Sequence, residues 1–235
     1  MAAEKTLPVF NFELKLPGRF YFPARMTALP LGDGSLALLS PGPIDEPIAQ
    51  QLAALGPVRW LIAPNLLHHL YLGAATERYP EARVLAPRAL AKKRPDLRID
   101  AALEDGLPSP LRDWLAALKF EGAPGLDEFV FHHPASRTLV VTDLVFNVRE
   151  PKGFMANLVL WLVGCHGRLA QSRAVRVMVK DRAAASASAE RIASLSFDTL
   201  VMAHGEIVHE EAQRVLARAL GWLLPQRQAL PAAGA

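Results

Sequence analysis

The chain has 235 residues, of which 51% are hydrophobic and 21% charged, and its formal net charge is +3. This length fits one large domain or two small ones, and the composition supports a substantial core and excludes long disorder. The small net charge, with both signs interspersed, gives no indication of a nucleic-acid partner. The one cysteine, Cys165, excludes an internal disulfide framework and a cysteine-rich zinc site, and it favours a reducing compartment such as the cytoplasm.

The N-terminal third is predicted to be mostly β-structure. Apolar and polar residues alternate along 10–16, which is typical of a half-buried strand. Two further apolar segments, 26–31 and 35–40, flank the sequence Gly-Asp-Gly at 32–34, which favours a hairpin turn. A helix is predicted over 48–55, because the acidic residues before it would interact favourably with the helix dipole.

The rest of the chain contains further predicted strands and helices. Strands are predicted at 58–62, 82–86, 128–133, 138–142 and 198–202, the third and fourth forming a second hairpin. Helices are predicted at 69–79, 88–94, 111–118, 181–194 and about 210–224. The longest apolar run, 154–165, has 12 residues. It is too short for a transmembrane segment and is predicted to be a helix that is buried or docked on the surface.

The order of these elements indicates the architecture. Hairpins followed by βα units occur twice, which favours an αββα sandwich with two sheets inside and helices outside. No linker rich in Pro, Gly and Ser divides the chain, so residues 1–224 are expected to form a single domain. Segment 149–182 is expected to be a flap or insertion, and 225–235 a flexible tail.

Three predicted strands end in polar side chains. His68 and His69 follow strand 58–62, Asp143 follows strand 138–142, and His204 follows strand 198–202. In α/β proteins such strand ends are where ligands bind. Imidazole and carboxylate groups are also common ligands of zinc, iron and manganese. His68, His69, Asp143 and His204 are therefore the candidate metal ligands.

These residues carry a resemblance to the metallo-β-lactamase fold superfamily over roughly residues 20 to 223. That superfamily has a His-x-His-x-Asp-His run at its first strand-to-helix junction, which corresponds here to 64–69. Pro64 and Leu66 replace the first two histidines of the run. His68 stands in place of the aspartate, and His69 matches the last histidine.

Three later positions extend the resemblance. The superfamily's Gly-His-x-Pro-Gly segment corresponds to Glu-Gly-Ala-Pro-Gly, so that Gly122 replaces another histidine ligand. Asp143 matches the bridging aspartate, and His204, in Ala-His-Gly, matches the final histidine. The resemblance implies a divergent group with an incomplete metal motif, folded as a four-layer αββα sandwich of the metallo-β-lactamase type.

The three missing histidines, at positions 64, 66 and 122, imply at most one metal ion rather than two. The residues of the first site are gone, whereas His69, Asp143 and His204 retain the second, with His68 in place of its aspartate. Zinc is the expected ion, with iron and manganese as alternatives. Four protein ligands would close a tetrahedral site, so catalysis requires either a fifth position or a place for His68 outside the ligand set. Without metal, the histidines would be hydrogen-bonded in a polar cleft and Asp143 would cap a turn.

The leading hypothesis is a mononuclear metal-dependent hydrolase of an ester, thioester or phosphoester, with Asp143 and His68 as catalytic residues. The alternative is a non-catalytic module that binds a small anion or a partner, and a third hypothesis is a mononuclear iron protein. The basic flap 149–182 would select an anionic small-molecule substrate, unless it is only a solvated face. Its apolar run 154–165 would pack over or beside the cleft, or form a homodimer interface.

Overall fold

The structure is a computed structural model that describes residues 7–16 and 20–225. The elements of its first half are β1 Val9–Leu16, β2 Phe20–Pro30, β3 Leu36–Leu39, α1 Glu46–Leu55, β4 Val58–Ile62, α2 Leu72–Arg78, β5 Arg83–Ala86, α3 Arg88–Lys93 and β6 Ala101–Ala102. Those of its second half are α4 Leu111–Trp114, β7 Ala116–Lys119, β8 Phe129–His133, β9 Thr138–Val141, α5 Phe154–Val163, α6 Arg173–Met178, α7 Arg182–Ala193, β10 Thr199–Met202 and α8 Ala212–Ala219.

The strands form two sheets. The first has the order β1-β2-β3-β4-β5-β6 and contains the hairpin predicted across 32–34, which β2 and β3 form. The second has the order β10-β9-β8-β7 and contains the hairpin of β8 and β9. Strands β3 and β4 run parallel in the first sheet, as do β9 and β10 in the second.

Alternate residues of each strand belong to different cores, which establishes the layers. In β3, Leu39 packs between the two sheets, whereas Leu38 faces the core beneath α1, α2 and α3. In β9, Val140 packs between the sheets, whereas Val141 faces the core that α7 and α8 cover. The four-layer αββα sandwich predicted from the sequence is therefore confirmed.

The prediction of a helix over 111–118 is wrong. Only Leu111–Trp114 forms a short helix, and the following residues form β7, whose Ala117 and Leu118 pair with β8. A short apolar segment fits either a buried helix or a strand by its periodicity alone. Here residues 116–119 form a strand because they pair with the edge of β8.

The carboxyl ends of the parallel strands bring distant polar residues to one place. Ser40 follows β3, the loop 63–69 follows β4, Asp143 follows β9 and His204 follows β10. In the part of the chain that the structure describes, no helix is long and apolar enough to cross a membrane. Of the tail predicted at 225–235, all residues after Pro225 lie outside the described residues.

Candidate metal centre

Three side chains at the strand ends converge on one another. The His68 Nε2 atom lies 3.2 Å from Asp143 Oδ2, and the His204 Nε2 atom lies 3.4 Å from Asp143 Oδ1. The two Nε2 atoms are 3.1 Å apart. Each residue thus offers one ligand atom, and all of these atoms lie within 4.8 Å of one another. Asp143 and His204 are buried and His68 is half-buried.

The other ring nitrogen of each histidine is held by a neighbouring oxygen. His204 Nδ1 lies 2.7 Å from the Pro23 carbonyl oxygen, which can only accept a hydrogen bond. This contact places the proton of a neutral His204 ring on Nδ1 and a lone pair on Nε2. His68 Nδ1 lies 2.5 Å from the Ser40 hydroxyl. Such outer contacts are typical of metal-binding histidines, because they orient the ring.

Two phenylalanine rings restrict His204 further. The Phe146 ring stacks on the imidazole with an interplanar angle of 7° and a centroid distance of 5.1 Å. The Phe22 ring packs against the imidazole at 4.7 Å. The ring of His204 is therefore preorganised by apolar contacts as well as by its hydrogen bond to Pro23.

A buried asparagine and a buried glutamate support Asp143. Asn65 Nδ2 donates to Asp143 Oδ2 at 2.8 Å and also lies 3.2 Å from Glu128 Oε2. The Glu128 carboxylate accepts hydrogen bonds from the backbone N–H groups of Thr142 and Asp143, at 2.8 and 2.9 Å. On the other side of Asn65, Oδ1 accepts from the backbone N–H of His68 at 2.8 Å. One amide thus connects the loop that carries His68 to the strand end that carries Asp143.

The two carboxylates have opposite pKa shifts. Burial, followed by the charge of Asp143, raises the pKa of Glu128 above its ordinary range. Burial also raises the pKa of Asp143, but the charges and hydrogen bonds of His68 and His204 outweigh it and hold the pKa far below its usual value. Asp143 is consequently ionised, and it supplies negative charge to the cluster.

His69 does not join this cluster. Its side chain is buried on the other side of the loop, where Nδ1 lies 3.0 Å from the Arg94 guanidinium. Burial, and then the charges of Lys93 and Arg94, lower the pKa of His69, so the neutral ring accepts a hydrogen bond from Arg94. The expectation that His69 shares the site with Asp143 and His204 is thus not met by this geometry. Adjacent side chains diverge from the backbone, and the loop directs His68 rather than His69 toward Asp143.

Gly122, which corresponds to a lost histidine position, has no room for a side chain. Its φ is +82°, and a Cβ atom there would lie 2.2 Å from the backbone oxygen of Asp181. The Gly122 carbonyl also accepts hydrogen bonds from the backbone N–H groups of Lys180 and Asp181. The backbone at the start of α7 therefore occupies the space that a side chain at position 122 would need.

The cluster opens into a cleft of about 390 Å³, a size suited to a small molecule. Its ionisable lining groups are His68, Asp143, His204 and the phenol of Tyr71. The remaining lining is mostly apolar and consists of Phe12, Leu14, Phe22, Ala24, Pro41, Leu67 and Leu70, with the Ser40 hydroxyl. Among the described residues that line this cleft, none is a lysine or arginine.

The segment predicted to be a flap lies beside the cleft. Ala156 and Leu160 of α5 line a neighbouring cavity of about 420 Å³, which adjoins the cleft across the hairpin of β1 and β2. Lys152 forms an ion pair with Glu13 of that hairpin at 3.0 Å. In the described part of the chain, no residue of 149–182 lines the cleft itself. The basic groups of this segment therefore do not contact the space beside Asp143.

Sequence reasoning missed Ser40, Glu128 and Phe146. Ser40 ends an apolar strand in the same way as the segment before Asp143, so the strand-end signal was present. Glu128 is a fully buried acid at the start of an apolar strand, and an unpaired charge next to such a strand is itself a signal. Phe146 has no such signal in the sequence, because only the return of the chain places it against His204.

Comparisons with known proteins identify the fold. No protein-family model matches the chain, and no curated protein matches it. Among solved structures, it is similar to the metallo-β-lactamase FIM-1 from Pseudomonas aeruginosa in a mono-zinc form, with 14% identity, a TM-score of 0.62 and 95% of each chain covered. A metallo-β-lactamase from Erythrobacter litoralis has 15% identity, a TM-score of 0.63 and 94% of each chain covered. One from Pontibacter korlensis has 14% identity and a TM-score of 0.61, with 93% of this chain and 99% of that chain covered.

Proposed function

We propose that this chain, which has the metallo-β-lactamase fold, is a hydrolase that uses one divalent metal ion held by His68, Asp143 and His204. The observation that carries the proposal is the spacing of the ligand atoms: the two Nε2 atoms are 3.1 Å apart, and they lie 3.2 and 3.4 Å from the two carboxylate oxygens of Asp143. A tetrahedral ion with bonds of about 2.0–2.1 Å spaces its ligand atoms by roughly 3.4 Å. Three protein ligands also leave one position open, as in catalytic zinc sites.

The chemistry of the donor atoms fits a cation. With a proton on each Nδ1 atom, which the Pro23 carbonyl requires for a neutral His204 and the Ser40 hydroxyl permits for His68, the lone pairs of the two Nε2 atoms face each other and the Asp143 carboxylate. When both rings are neutral in this way, these electron-rich atoms repel one another at such distances unless a positive charge lies among them. A metal ion supplies that charge without requiring protonation of either ring. Zinc is the ion we propose, and manganese accepts the same ligand types.

The residues around the cluster support a hydrolytic role. When bound, a divalent ion polarises a carbonyl oxygen and lowers the pKa of a water molecule. Asp143 and His68 lie at the reacting centre, so we assign both as catalytic. Asn65 and Ser40 orient their side chains. The apolar cleft would bind the body of the substrate and exclude water.

The lining of the cleft supports a neutral substrate. None of the described residues that line the cleft is a lysine or arginine, so the anion preference expected from the basic segment 149–182 lacks a basic side chain there. We therefore propose a carboxylic ester or thioester with an apolar body as the substrate class. We also propose that the protein acts in a reducing compartment such as the cytoplasm, because its single cysteine cannot form an internal disulfide.

A second candidate is a mononuclear iron protein. Two histidines and one carboxylate, with open positions, form the ligand set of non-haem iron oxygenases. His68, His204 and Asp143 meet that description. The identity of the metal therefore distinguishes the two candidates.

Metal content tests the site. Elemental analysis of untreated protein should find no more than one transition metal per chain, with zinc supporting the hydrolase and iron the second candidate.

At about 100 times its dissociation constant, the ion should stabilise the fold by roughly 2.7 kcal/mol. His68→Ala and His204→Ala should abolish both the metal and this gain. His69→Ala is the matched control and should retain the metal. Two bound equivalents of metal per chain would refute the assignment. So would a loss of metal in His69→Ala alone.

Activity tests the hydrolase. Protein loaded with one equivalent of zinc should hydrolyse p-nitrophenyl acetate and longer p-nitrophenyl acyl esters, and Asp143→Asn should abolish the reaction. His209→Ala, which alters an exposed histidine away from the cluster, should leave the rate unchanged. Metal binding without hydrolysis of any ester or thioester would instead favour the non-catalytic binding module.

A further inference from the structure

Helix α5 has apolar residues on two opposite faces. Ala156 and Leu160 are buried against the sandwich. On the other face the side chains of Phe154 and Trp161 are 78% and 67% exposed. The full exposed stripe is Phe154, Met155, Leu158, Trp161 and Leu162. At about 100° per residue these positions fall within an arc of roughly 120°, so they form one continuous surface.

The exposed face of α5 lies in a segment without acidic residues. Between 151 and 180 the sequence contains no Asp or Glu. Its basic residues are Lys152, Arg168, Arg173, Arg176 and Lys180. Two of them are held at the carboxyl end of α5, since Arg168 donates to the Gly164 carbonyl and Arg173 to the Leu162 carbonyl. Neither forms an ion pair with a carboxylate anywhere in residues 7–16 and 20–225.

These charges decide between two occupants of the face. An exposed aromatic and aliphatic stripe of this kind is typical of a binding surface. The same segment of a second copy, packed face to face, would offer no carboxylate to the guanidinium groups of Arg168 and Arg173, because 151–180 contains no Asp or Glu. An anionic lipid surface would attract these groups instead, and its interface accommodates Trp and Phe rings.

We propose that the exposed face of α5, together with Arg168 and Arg173, docks this protein onto the surface of an anionic lipid bilayer. Helix α5 has 10 residues, which is too short to cross a bilayer, so it lies in the plane of the interface. Trp161 and Phe154 insert among the lipid headgroups, while the two arginines contact lipid phosphates. This inference does not depend on metal binding or on the proposed hydrolysis.

Docking would also bring the cleft close to the lipid. The buried face of α5 packs beside β2, and Ala24 of β2 lines both the cavity under α5 and the cleft. Leu70, at the cleft, is itself 63% exposed. The cleft and the cavity under α5 therefore share a wall, so docking through α5 would hold the cleft near the lipid.

Vesicle sedimentation of the full chain tests the proposal. The protein should sediment with phosphatidylcholine vesicles that contain about 30% phosphatidylserine. It should sediment much less with pure phosphatidylcholine vesicles, and less at high salt.

Phe154→Ser combined with Trp161→Ser should lower the partition coefficient at least about tenfold. Arg168→Gln combined with Arg173→Gln should lower it about 25-fold, at about fivefold per charge. Leu55→Ser, which changes a 43% exposed leucine on α1, is the matched control and should not alter it.

Two results would overturn the proposal. One is wild-type protein that fails to sediment with the anionic vesicles at low salt, or that binds neutral vesicles equally well. The other is a dimer in analytical ultracentrifugation that Trp161→Ser converts to monomer, because the face would then be a subunit interface. Phe154 and Trp161 are exposed, so their substitution should leave the thermal unfolding midpoint unchanged, which circular dichroism can verify.

Discussion

Asn65 offers the sharpest test of how the site is held together. Its side chain is fully buried and lies between the loop after β4 and the two carboxylates. Nδ2 lies 2.8, 3.0 and 3.2 Å from acceptors on Asp143, Thr142 and Glu128. Oδ1 accepts from the backbone N–H groups of Leu67 and His68, both at 2.8 Å. Asn65→Ala removes all of these contacts at once.

The expected loss of stability follows from these contacts. Two N–H hydrogens share three acceptors, so the amide makes at most two full hydrogen bonds on that side, chiefly to carboxylates. Hydrogen bonds to charged groups contribute roughly 1.5–3 kcal/mol each, and the two backbone bonds contribute about 1 kcal/mol each. Because such terms are not additive and water can enter the space, we expect Asn65→Ala to lower the free energy of unfolding by about 3–5 kcal/mol.

Urea unfolding followed by circular dichroism measures this change. Asn157→Ala is the control, because Asn157 is an α5 asparagine whose side chain bonds two loop carbonyl oxygens near the surface. It should cost less than about 1 kcal/mol. A loss below about 1 kcal/mol for Asn65→Ala would refute the idea that this amide holds the loop and the carboxylates together. Asn65→Asp should be at least as destabilising near neutral pH, since it removes the donors and adds a third carboxylate beside Asp143 and Glu128.

Three further outcomes follow from the packing. Gly122→Ala should lower the free energy of unfolding by at least about 2 kcal/mol, because of the positive φ and the approach of Asp181, and an unchanged urea midpoint would contradict this. Burial raises the pKa of the Cys165 thiol to about 11, so iodoacetamide at about pH 8 should label it only after unfolding, and rapid labelling of native protein would disprove its burial. Phe131→Ala should cost about 3–5 kcal/mol in the same urea assay, and a loss within about 1 kcal/mol would show that the core between the sheets collapses around the gap.

Much of the fold could be predicted because local patterns agreed with the tertiary structure. Strand β4 was predicted at its observed bounds, since its apolar residues are buried in the sheet. Helix α1 began near the expected acids, and Asp45 caps it by accepting a hydrogen bond from the Ile48 backbone. Strand β7 could not be predicted, because pairing with β8 rather than local periodicity determines its conformation.

The candidate site was predictable only in part. The amino-acid order determined which polar groups follow apolar strands, and therefore that Asp143 and His204 would lie at the same edge. Only the tertiary structure decided which of two adjacent histidines turns toward them. That choice depends on the Asn65 side chain, which binds the backbone of 67–68 and directs His68 inward, and on Arg94, which holds His69 on the other side. Contacts between residues so far apart in the chain leave no periodic signal in the sequence, because they arise only when separate strand ends meet.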